Sequence, residues 1–486
     1  MASAPKPLPD REAAAELSDS LRVLNNEIVS HITQLNARLE RTTGLVIGLS
    51  GGLDSSLLLT LCRNLRERGD LLLPLRAIHV DHGIHAESQD WRRHCESLCA
   101  ELGVELTCFE AELADSPGGE VSEEAARHAR YAYFEQALAP GECLLLAHHL
   151  DDQLETLLLR LLRGAGVEGL AGMPLTRELG DGLLLRPLLD FPRAKLELAA
   201  DTLGLKYVAD PSNADTQYDR NLLRNSVLPL LEGRWPQYRQ SCAKSLQLMA
   251  ESDELNKALA DLDIQACRVG STGRLNLHCV AEYTAARRRN LLRRWLRELG
   301  LPTAGWNLLD RLEREVIANP GHPAHWKHGD FTVYRERGDL VAVRNIDYDR
   351  CVNASHLWSP SEQHRIELPG NGSIEVTFAS KSVMEDFASD NNTPQFLVAY
   401  RQGGESIKLP GRVNKSLKKW LNESHVAPWL RDRLPLLFLD GELVWVAELG
   451  PSETFASRIA ETTVRLPGEV ANVTFRWHPP ALELTQ

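Results

Sequence analysis

The segment GLVIGLSGGLDSSLLLTLC, residues 44–62, constrains the fold of this chain more than any other. It begins as an apolar strand, turns at Gly51 and Gly52, and continues as an apolar helix, so it predicts a strand–turn–helix unit. Strand-like and helical segments then alternate up to about residue 235. This alternation predicts an α/β fold with a doubly wound parallel sheet. The other predicted strands are LLPLRAIHV, VELTCFEAEL and GECLLLAHH.

The chain is too long for a single hydrophobic core, since it has 486 residues and 43% hydrophobic content. After residue 235 the pattern becomes helical, and beyond about residue 350 turn residues separate short alternating strands. We therefore predict five segments: an N-terminal helical extension over 1–40, a catalytic domain over 41–235, a helical middle domain over 236–345, a linker with short strands over 346–395, and a small α+β C-terminal domain over 396–486.

Composition limits the possible environments and partners. No apolar run approaches the ~20 residues of a membrane span, and the first residues lack the apolar region of a secretory signal. Nine cysteines are spread along the chain without a CxxC pair, which indicates reduced thiols and a cytoplasmic protein. The net charge of −13 argues against a surface that binds nucleic acid everywhere. Contacts with nucleic acid are therefore expected to be local.

The glycine turn of residues 44–62 predicts an anion pocket. Gly51 and Gly52 allow close approach of a ligand, and the N-terminus of the next helix directs its free N–H groups there. Ser50 and Ser55 add hydroxyl groups, and Asp54 can hold a Mg²⁺ ion that bridges phosphates. The lysine of a Walker A loop is missing, which favours a grip on pyrophosphate and attack at the α-phosphorus. The alternative interpretation is a tight turn without a ligand.

Polar side chains also follow the predicted second and fourth strands. HVDHG, residues 79–83, ends the second strand, where doubly wound folds contact a ribose or a base. His148 follows the fourth strand, and Asp152 lies in the first turn of the next helix, on the same face as Glu155. These residues suit acid–base chemistry and a metal bound to phosphate, whereas helix capping is the alternative for Asp152.

Several segments together closely resemble the tRNA(Ile)-lysidine synthetase family of N-type ATP pyrophosphatases. SGGLDS alone is shared across that superfamily, but the histidine–aspartate segment and the SNADTQYDRNLLR stretch are more specific. The segments that carry the resemblance are SGGLDS, HVDHG, EEAARHARY, AHHLDDQLETLLLRLLRGAG, RPLLDFPRAKL, DPSNADTQYDRNLLRNSVLPLL and, near the C-terminus, GGESIKLPGRVNKSLKKWLNESHVAPWLRDRLPLLF.

The resemblance implies an ATP-dependent ligase that uses Mg²⁺. Such an enzyme adenylates the wobble cytidine of the CAU-anticodon isoleucine tRNA, and L-lysine then replaces AMP at C2. The implied catalytic residues are Asp54, Arg130, His148 and Asp152, with Asp54 and Asp152 also as metal ligands. The implied nucleotide-binding residues are Ser50, Gly51, Gly52, Leu53, Asp54 and Ser55. From residue spacing alone, Arg130 with Arg127 instead suggests a salt-bridged face with Glu123 and Glu124.

The resemblance also implies tRNA contacts, whereas the lack of a long apolar run predicts no membrane association; a homodimer is a further prediction. Two basic stretches, RRRNLLRRWLR at 287–297 and residues 408–420, are the local patches that an acidic protein could use. A solvated helix face is the alternative for the arginine run. The implied tRNA-binding residues are Arg220, Arg224, Arg287, Arg288, Lys415, Lys418 and Lys419.

Two other functions stay open at this stage. A tRNA thiolase of the same fold needs reactive cysteines, and Cys95 and Cys99 are one helical turn apart. We expect them to be small buried hydrophobic residues instead. A nucleotide-binding scaffold without catalysis would bind ATP and release no pyrophosphate. The chain also has Ile84 and His85 where many relatives have leucine and arginine, so a contact by that arginine is not expected.

Overall fold

The computed structural model describes residues 26–35, 39, 42–81, 88–110, 123–208, 216–302, 305–317, 325–345, 355–388, 394–461 and 473–484. The chain divides into two compact units, Met1–Leu255 and Asn256–Gln486, each with its own hydrophobic clusters. Within the described ranges, no helix combines the length and apolar character that crossing a membrane requires.

The first unit is built on one six-stranded sheet. Its order is β3–β2–β1–β4–β6–β5, with all neighbours parallel except the antiparallel pair β5 and β6. The predicted parallel sheet is confirmed, and β5 and β6 extend it beyond the four predicted strands. The strands are β1 (Gly44–Gly48), β2 (Leu75–Asp81), β3 (Glu105–Glu110), β4 (Glu142–Leu145), β5 (Thr176–Leu179) and β6 (Gly182–Leu185).

Helices cover both faces of this sheet. On β1, Leu45 and Ile47 enter one buried cluster, whereas Val46 enters the cluster on the other face. Such alternation follows from the two-residue period of a strand and makes the domain doubly wound. The helices are α1 (26–34), α2 (Leu53–Arg68), α3 (Ser88–Leu102), α4 (Glu123–Ala137), α5 (Leu150–Leu162), α6 (Val167–Leu170), α7 (Arg193–Thr202), α8 (Asp219–Leu222), a π-helical turn (Leu223–Val227), α9 (Leu228–Arg234) and α10 (Tyr238–Cys267), which continues into the second unit.

The described part of the N-terminal extension belongs to the core of the first unit. Ile28 is fully buried, and Ile32 and Leu35 join it in the cluster that contains Leu57 of α2. Lys195 of α7 forms an ion pair with Glu27 at 3.2 Å. The rest of the predicted extension lies outside the described residues.

The second unit begins with helices that pack on a four-stranded antiparallel sheet, ordered β7–β10–β9–β8. The predicted middle domain is therefore not purely helical. The elements are β7 (Leu275–Asn276), α11 (Leu277–Ala281), α12 (Ala285–Glu298), α13 (Trp306–Leu312), a π-helical turn (Glu313–Ile317), β8 (His325–His328), β9 (Phe331–Glu336) and β10 (Asp339–Arg344).

The last part of the second unit contains three small antiparallel sheets, of orders β11–β14–β17–β18–β19, β12–β13–β20 and β15–β16. Trp358 and Ile374, from the predicted linker, share one buried cluster with Phe396 and Trp477. The core thus continues across the predicted boundary at residue 395. The elements are β11 (His356–Trp358), β12 (Arg365–Glu367), β13 (Ser373–Phe378), α14 (Lys381–Ala388), β14 (Phe396–Ala399), β15 (Ser406–Ile407), β16 (Lys415–Ser416), α15 (Leu417–Glu423), β17 (Leu436–Leu439), β18 (Glu442–Val446), β19 (Gly450–Pro451), α16 (Glu453–Glu461) and β20 (Val473–His478).

The cysteines differ in one respect from the prediction of reduced thiols throughout the chain. Cys267, at the end of α10, and Cys279 in α11 form a disulfide. Cys95 and Cys99 are free and buried, as expected. Burial raises the pKa of the Cys95 thiol to about 12 and that of Cys99 to about 11, which disfavours the thiolate that sulfur transfer requires.

Replacing Leu57 with alanine tests whether α2 is anchored by its apolar face. Leu57 is fully buried, so Leu57→Ala should lower the free energy of unfolding of the first unit by about 2–5 kcal/mol. Native-state hydrogen exchange of peptides within residues 44–62 measures this change. The matched control is Leu72→Ala, because Leu72 is 86% exposed and should cost under about 0.5 kcal/mol. Equal effects of the two substitutions would contradict the packing described here.

Candidate functional site

Hydrogen bonds of its own serines fix the turn between β1 and α2. Ser55 Oγ accepts a hydrogen bond from the Ser50 amide at 3.1 Å and donates to the Gly52 carbonyl at 3.2 Å. Gly51 has a φ of +83°, and a Cβ atom there would lie 3.2 Å from Cys95 Sγ. The turn therefore requires glycine for its backbone conformation. No side chain caps α2 at Gly52, so the first N–H groups of the helix remain available to an anion.

Asp54 lies in the first turn of α2 and faces two side chains from other elements. Its Oδ2 is 3.8 Å from His149 Nε2 and 3.7 Å from Arg193 Nη1. Burial raises the pKa of Asp54 above its ordinary value, although His149 and Arg193 act in the opposite direction. Its Oδ1 is buried and has no hydrogen-bond partner among the described residues. Asp54 thus keeps one oxygen free for a ligand.

His149 and Asp152 together cap the N-terminus of α5. His149 Nδ1 accepts from the Asp152 amide at 3.4 Å, and Asp152 Oδ2 accepts from the His149 amide at 3.0 Å. The capping alternative for Asp152 is therefore correct in part, with histidine at the cap itself. This reciprocal box fixes both side chains beside Asp54.

Asp152 and Glu155 share one arginine. Arg224, from the π-helical turn, donates from Nη2 to Asp152 at 3.0 Å and from Nε to Glu155 at 2.7 Å. Burial alone would raise the pKa of Asp152, but His149, its amide hydrogen bond and Arg224 hold that pKa below its ordinary value. Burial raises the pKa of Glu155, which is only 1% exposed, against the effect of Arg224. The two carboxylates therefore differ in basicity although they share a partner.

His148 is influenced by charges of both signs. Burial lowers its pKa to about 3; Asp152 acts in the opposite direction, whereas Arg186, Arg127 and Arg220 lower it further. The imidazole is therefore neutral at pH 7. Its Nδ1 is buried without a hydrogen-bond partner among the described residues. A neutral ring with one free nitrogen can make a hydrogen bond to a ligand but adds no charge.

The carboxylates suit Mg²⁺ to different degrees. This ion prefers oxygen ligands and takes one or two carboxylates together with phosphate and water oxygens. Asp54 fits because its Oδ1 is unused, whereas both Asp152 oxygens accept hydrogen bonds, from Arg224 and the His149 amide. Asp152 as a metal ligand stays a prediction. The described residues contain no group of three or more metal-binding side chains. An ion at Asp54 would take its remaining ligands from phosphate and water.

Arg127 and Arg130, which the helix pattern places on one face of α4, act on different histidines in the structure. Arg130 is exposed on α4, and its charge acts on His79 at the end of β2. Arg127 lies over the Tyr131 ring, 5.4 Å from its centroid, and its charge acts on His148. The side chains of Glu123 and Glu124 lie outside the described residues, as do His82 and Gly83 of HVDHG. The role of Arg130 stays a prediction.

Several residues of the site were not predicted. Arg193 approaches Asp54, and Asp151 accepts hydrogen bonds from the Arg193 amide at 2.8 Å and from Arg239 Nε at 2.9 Å. A 200 Å³ pocket lies beside these side chains and includes Arg224 and Glu232. Arg193 and the buried Arg186 both belong to RPLLDFPRAKL, one of the segments that carry the family resemblance. Its two arginines, directly after a strand and at a helix start, were the available signal.

The predicted tRNA-binding residues of the second unit fall into two groups. Arg287 pairs with the buried Asp263 at 2.5 Å, and Arg288 pairs with the buried Glu313. In the C-terminal region, Lys415 pairs with Glu423 at 2.7 Å, whereas Lys418 and Lys419 are exposed and form no ion pair with a described residue. Of these five predicted residues, Lys418 and Lys419 therefore present charge that no described carboxylate neutralises.

Comparison with known proteins agrees with this geometry. The PP-loop domain family matches residues 24–231, the TilS substrate binding domain matches 275–341, and the TilS substrate C-terminal domain matches 397–467. The "tRNA(Ile)-lysidine synthase" of Pseudomonas fluorescens is 40% identical, over 83% of this chain and 88% of the relative. The proteins of that name from Methylococcus capsulatus and Coxiella burnetii are 37% and 34% identical, over 89% and 86% of this chain and 96% and 92% of the relatives.

The doubly wound sheet, the glycine turn without lysine and the PP-loop match define an ATP-dependent enzyme of the PP-loop class. The similarity extends through both following substrate domains and over most of each relative. The chain belongs to the tRNA(Ile)-lysidine synthase family.

Replacing Arg224 with methionine tests the shared ion pair. The change leaves Glu155 buried without its partner, so Arg224→Met should destabilise the first unit by about 3 kcal/mol at pH 7. The pKa of Glu155 would rise further, so the folded state would bind a proton more readily than the unfolded state. The loss of stability caused by Arg224→Met should therefore become smaller as the pH falls. Urea unfolding at pH 5 and pH 7 measures both effects.

Two further variants serve as controls for Arg224→Met. The double variant Arg224→Met with Glu155→Gln should recover part of the loss at pH 7, because it removes the unpaired charge. Arg93→Met breaks an exposed pair with Asp90 and should cost under about 1 kcal/mol. If Arg224→Met behaved like Arg93→Met, Arg224 would not hold Glu155 as described.

Proposed function

We propose that this protein joins L-lysine to C2 of the wobble cytidine in a CAU-anticodon isoleucine tRNA. ATP first adenylates the cytidine O2 and releases pyrophosphate. The lysine ε-amine then forms a bond to C2, the C2–O bond breaks and AMP leaves. Lysidine pairs with A instead of G, so the product would read AUA and be charged with isoleucine. Family membership and both substrate domains support this proposal.

The observation that carries the adenylation step is the open β1–α2 turn beside Asp54. The turn offers backbone N–H groups and the Ser50 hydroxyl to pyrophosphate, with the Ser55 hydroxyl holding the turn, and it has no lysine directed at a terminal phosphate. Asp54 has a free carboxylate oxygen for Mg²⁺, which would neutralise phosphate charge when bound. We assign Ser50–Ser55 to nucleotide binding and Asp54 to the metal. Arg130 is assigned to the nucleotide or the cytidine.

The second step needs a neutral amine, whereas the free ε-amine has a pKa near ~10.4. Asp152 and Glu155 give the site negative charge that favours the ammonium group of lysine. Glu155 is the better proton acceptor of the two, because burial raises its pKa while the pKa of Asp152 is lowered. His148 is too weak a base for this role, since its pKa is about 3. We therefore assign proton removal to Glu155 and orientation of the amine to Asp152.

We assign tRNA contacts to Arg220, Lys418 and Lys419. Arg224, Arg287, Arg288 and Lys415 already pair with carboxylates, so we assign them to positioning of the surrounding structure. The reaction is proposed to take place in the cytoplasm. A homodimer stays a prediction.

The test is incubation of the protein with an unmodified CAU-anticodon isoleucine tRNA transcript, Mg²⁺, ATP and labelled L-lysine. Acid-insoluble label and pyrophosphate are measured together. Both products are expected, and Asp54→Asn should reduce both rates about a hundredfold or more because the metal loses its carboxylate. Asp90→Asn is the matched control, since Asp90 is exposed on α3 and should leave both rates unchanged.

The two readouts separate the alternatives. Release of pyrophosphate without labelled tRNA would support the adenylation step but would overturn lysine as the amine that is joined to the tRNA. ATP binding without either product would favour a nucleotide-binding scaffold. Transfer of labelled sulfur to the tRNA would support the thiolase.

A further inference from the structure

A cluster of arginines around Tyr131, which we call the Tyr131 cluster, lies beside His148. It consists of Arg127, Tyr131, Arg177 and Arg186. Arg186 directly follows β6, and His148 follows β4, the parallel neighbour of β6. The carboxyl ends of parallel strands meet at one edge of a sheet, so the cluster opens on the same edge as the β1–α2 turn. It lies two strands away from β1, roughly 10 Å along the sheet.

The centre of the Tyr131 cluster is a buried cation without a counter-ion. Arg186 is only 2% exposed and forms no ion pair with a carboxylate of the described residues. Its Nη1 donates to the Pro174 carbonyl at 2.7 Å, and its Nη2 lies 3.5 Å from Tyr131 Oη. Its Nε is buried and lacks a partner among those residues. Burying a guanidinium without an opposite charge is costly, so this arrangement favours a bound anion.

Other cations extend the Tyr131 cluster from the buried Arg186 to the surface. Arg177 is exposed and lies over the Tyr131 ring at 4.9 Å from its centroid, as Arg127 does at 5.4 Å. Arg177 forms no ion pair with a described carboxylate. Burial raises the pKa of Tyr131, but Arg127, Arg186 and Arg177 outweigh burial and lower it. The side chains therefore create a positive potential that continues outward from a buried guanidinium.

We propose that the Tyr131 cluster binds an RNA backbone phosphodiester next to the nucleotide that is modified. The proposal rests on the proposed function for the identity of the RNA. A phosphodiester oxygen can accept from the one unused donor of Arg186, its Nε–H, and the adjoining surface arginines can neutralise the backbone that enters the site. His148 can add a hydrogen bond from its unused ring nitrogen.

The alternative ligand is the α-carboxylate of lysine, and its charge argues against it. Free lysine carries two ammonium groups and one carboxylate, so a pocket of three arginines would repel it overall. Its ammonium groups are better matched by Asp152 and Glu155 on the other side of His148. The site thus divides into an acidic part for the amine and a basic part for the RNA backbone.

The experiment combines modified RNA with protein variants. The full-length protein is bound to the CAU-anticodon tRNA with a neutral methylphosphonate in place of the phosphate on the 5′ or 3′ side of the wobble cytidine. In the wild-type protein, one of these replacements should weaken binding about tenfold, because a charge-assisted contact is lost. In the Arg127→Gln, Arg177→Gln double variant, the same replacement should cost less than about threefold, since the partner charges are already absent.

A salt titration gives an independent readout. The slope of log affinity against log salt should be smaller for the Arg127→Gln, Arg177→Gln variant by about 1. The matched control is Arg66→Gln, Arg68→Gln, which removes two exposed arginines from the last turn of α2, at the opposite end of that helix from the β1–α2 turn. Any loss of affinity in this control variant should be the same for the unmodified tRNA and for the two methylphosphonate tRNAs. Arg186→Lys provides a second test that retains the buried charge while removing the Nε–H group.

The outcomes decide between the ligands. Equal losses from methylphosphonate in the wild type and the double variant would overturn the proposal, as would a rise in the KM for lysine with unchanged RNA affinity. If the wild-type protein incorporates no lysine, the proposed function fails. The binding measurements need no turnover, so coupling between methylphosphonate and arginine would then still support the phosphodiester site.

Discussion

The site depends on one continuous line of charged contacts that joins four separate parts of the first unit. Asp54 stands at the start of α2, the His149–Asp152 box at the start of α5, Arg193 at the start of α7, and Arg224 in a turn more than sixty residues beyond α5. Since each carboxylate is partly or fully buried, no part of this line can be moved without leaving a charge unpaired. The line consists of Arg193, Asp54, His149, Asp152, Arg224 and Glu155.

The same contacts explain why two similar carboxylates can have different roles. Asp152 receives the His149 amide, an arginine and the influence of the His149 ring, all of which stabilise its ionised form. Glu155 lies one turn deeper, and its burial is offset mainly by Arg224, with a smaller effect of Arg220. Arg224 therefore holds Asp152 and Glu155 in place, while their different surroundings give the two carboxylates different pKa values. A reaction that must first bind an ammonium group and later remove its proton needs this difference.

The sequence predicted those parts of the fold and site that depend on local patterns. The strand–glycine turn–helix unit and the alternation of β1 to β4 with helices follow from hydrophobic period and glycine, and both are confirmed. The pairing of Arg224 with Asp152 and Glu155 could not be predicted in this way, because these partners are about seventy residues apart. The neutral state of His148 likewise depends on burial and on arginines from other elements.

The arginines of the second unit show why a basic run in a sequence is a poor measure of surface charge. RRRNLLRRWLR contains six arginines and no acid, yet Arg287 and Arg288 are neutralised by the buried Asp263 and Glu313. Those acids would be costly to bury without them, so the two arginines stabilise the fold. In the first unit, the single Arg186 has no such acid among the residues that the structure describes and is buried nonetheless. A lone buried arginine without a carboxylate is therefore a stronger sign of an anionic ligand than a longer run of paired ones.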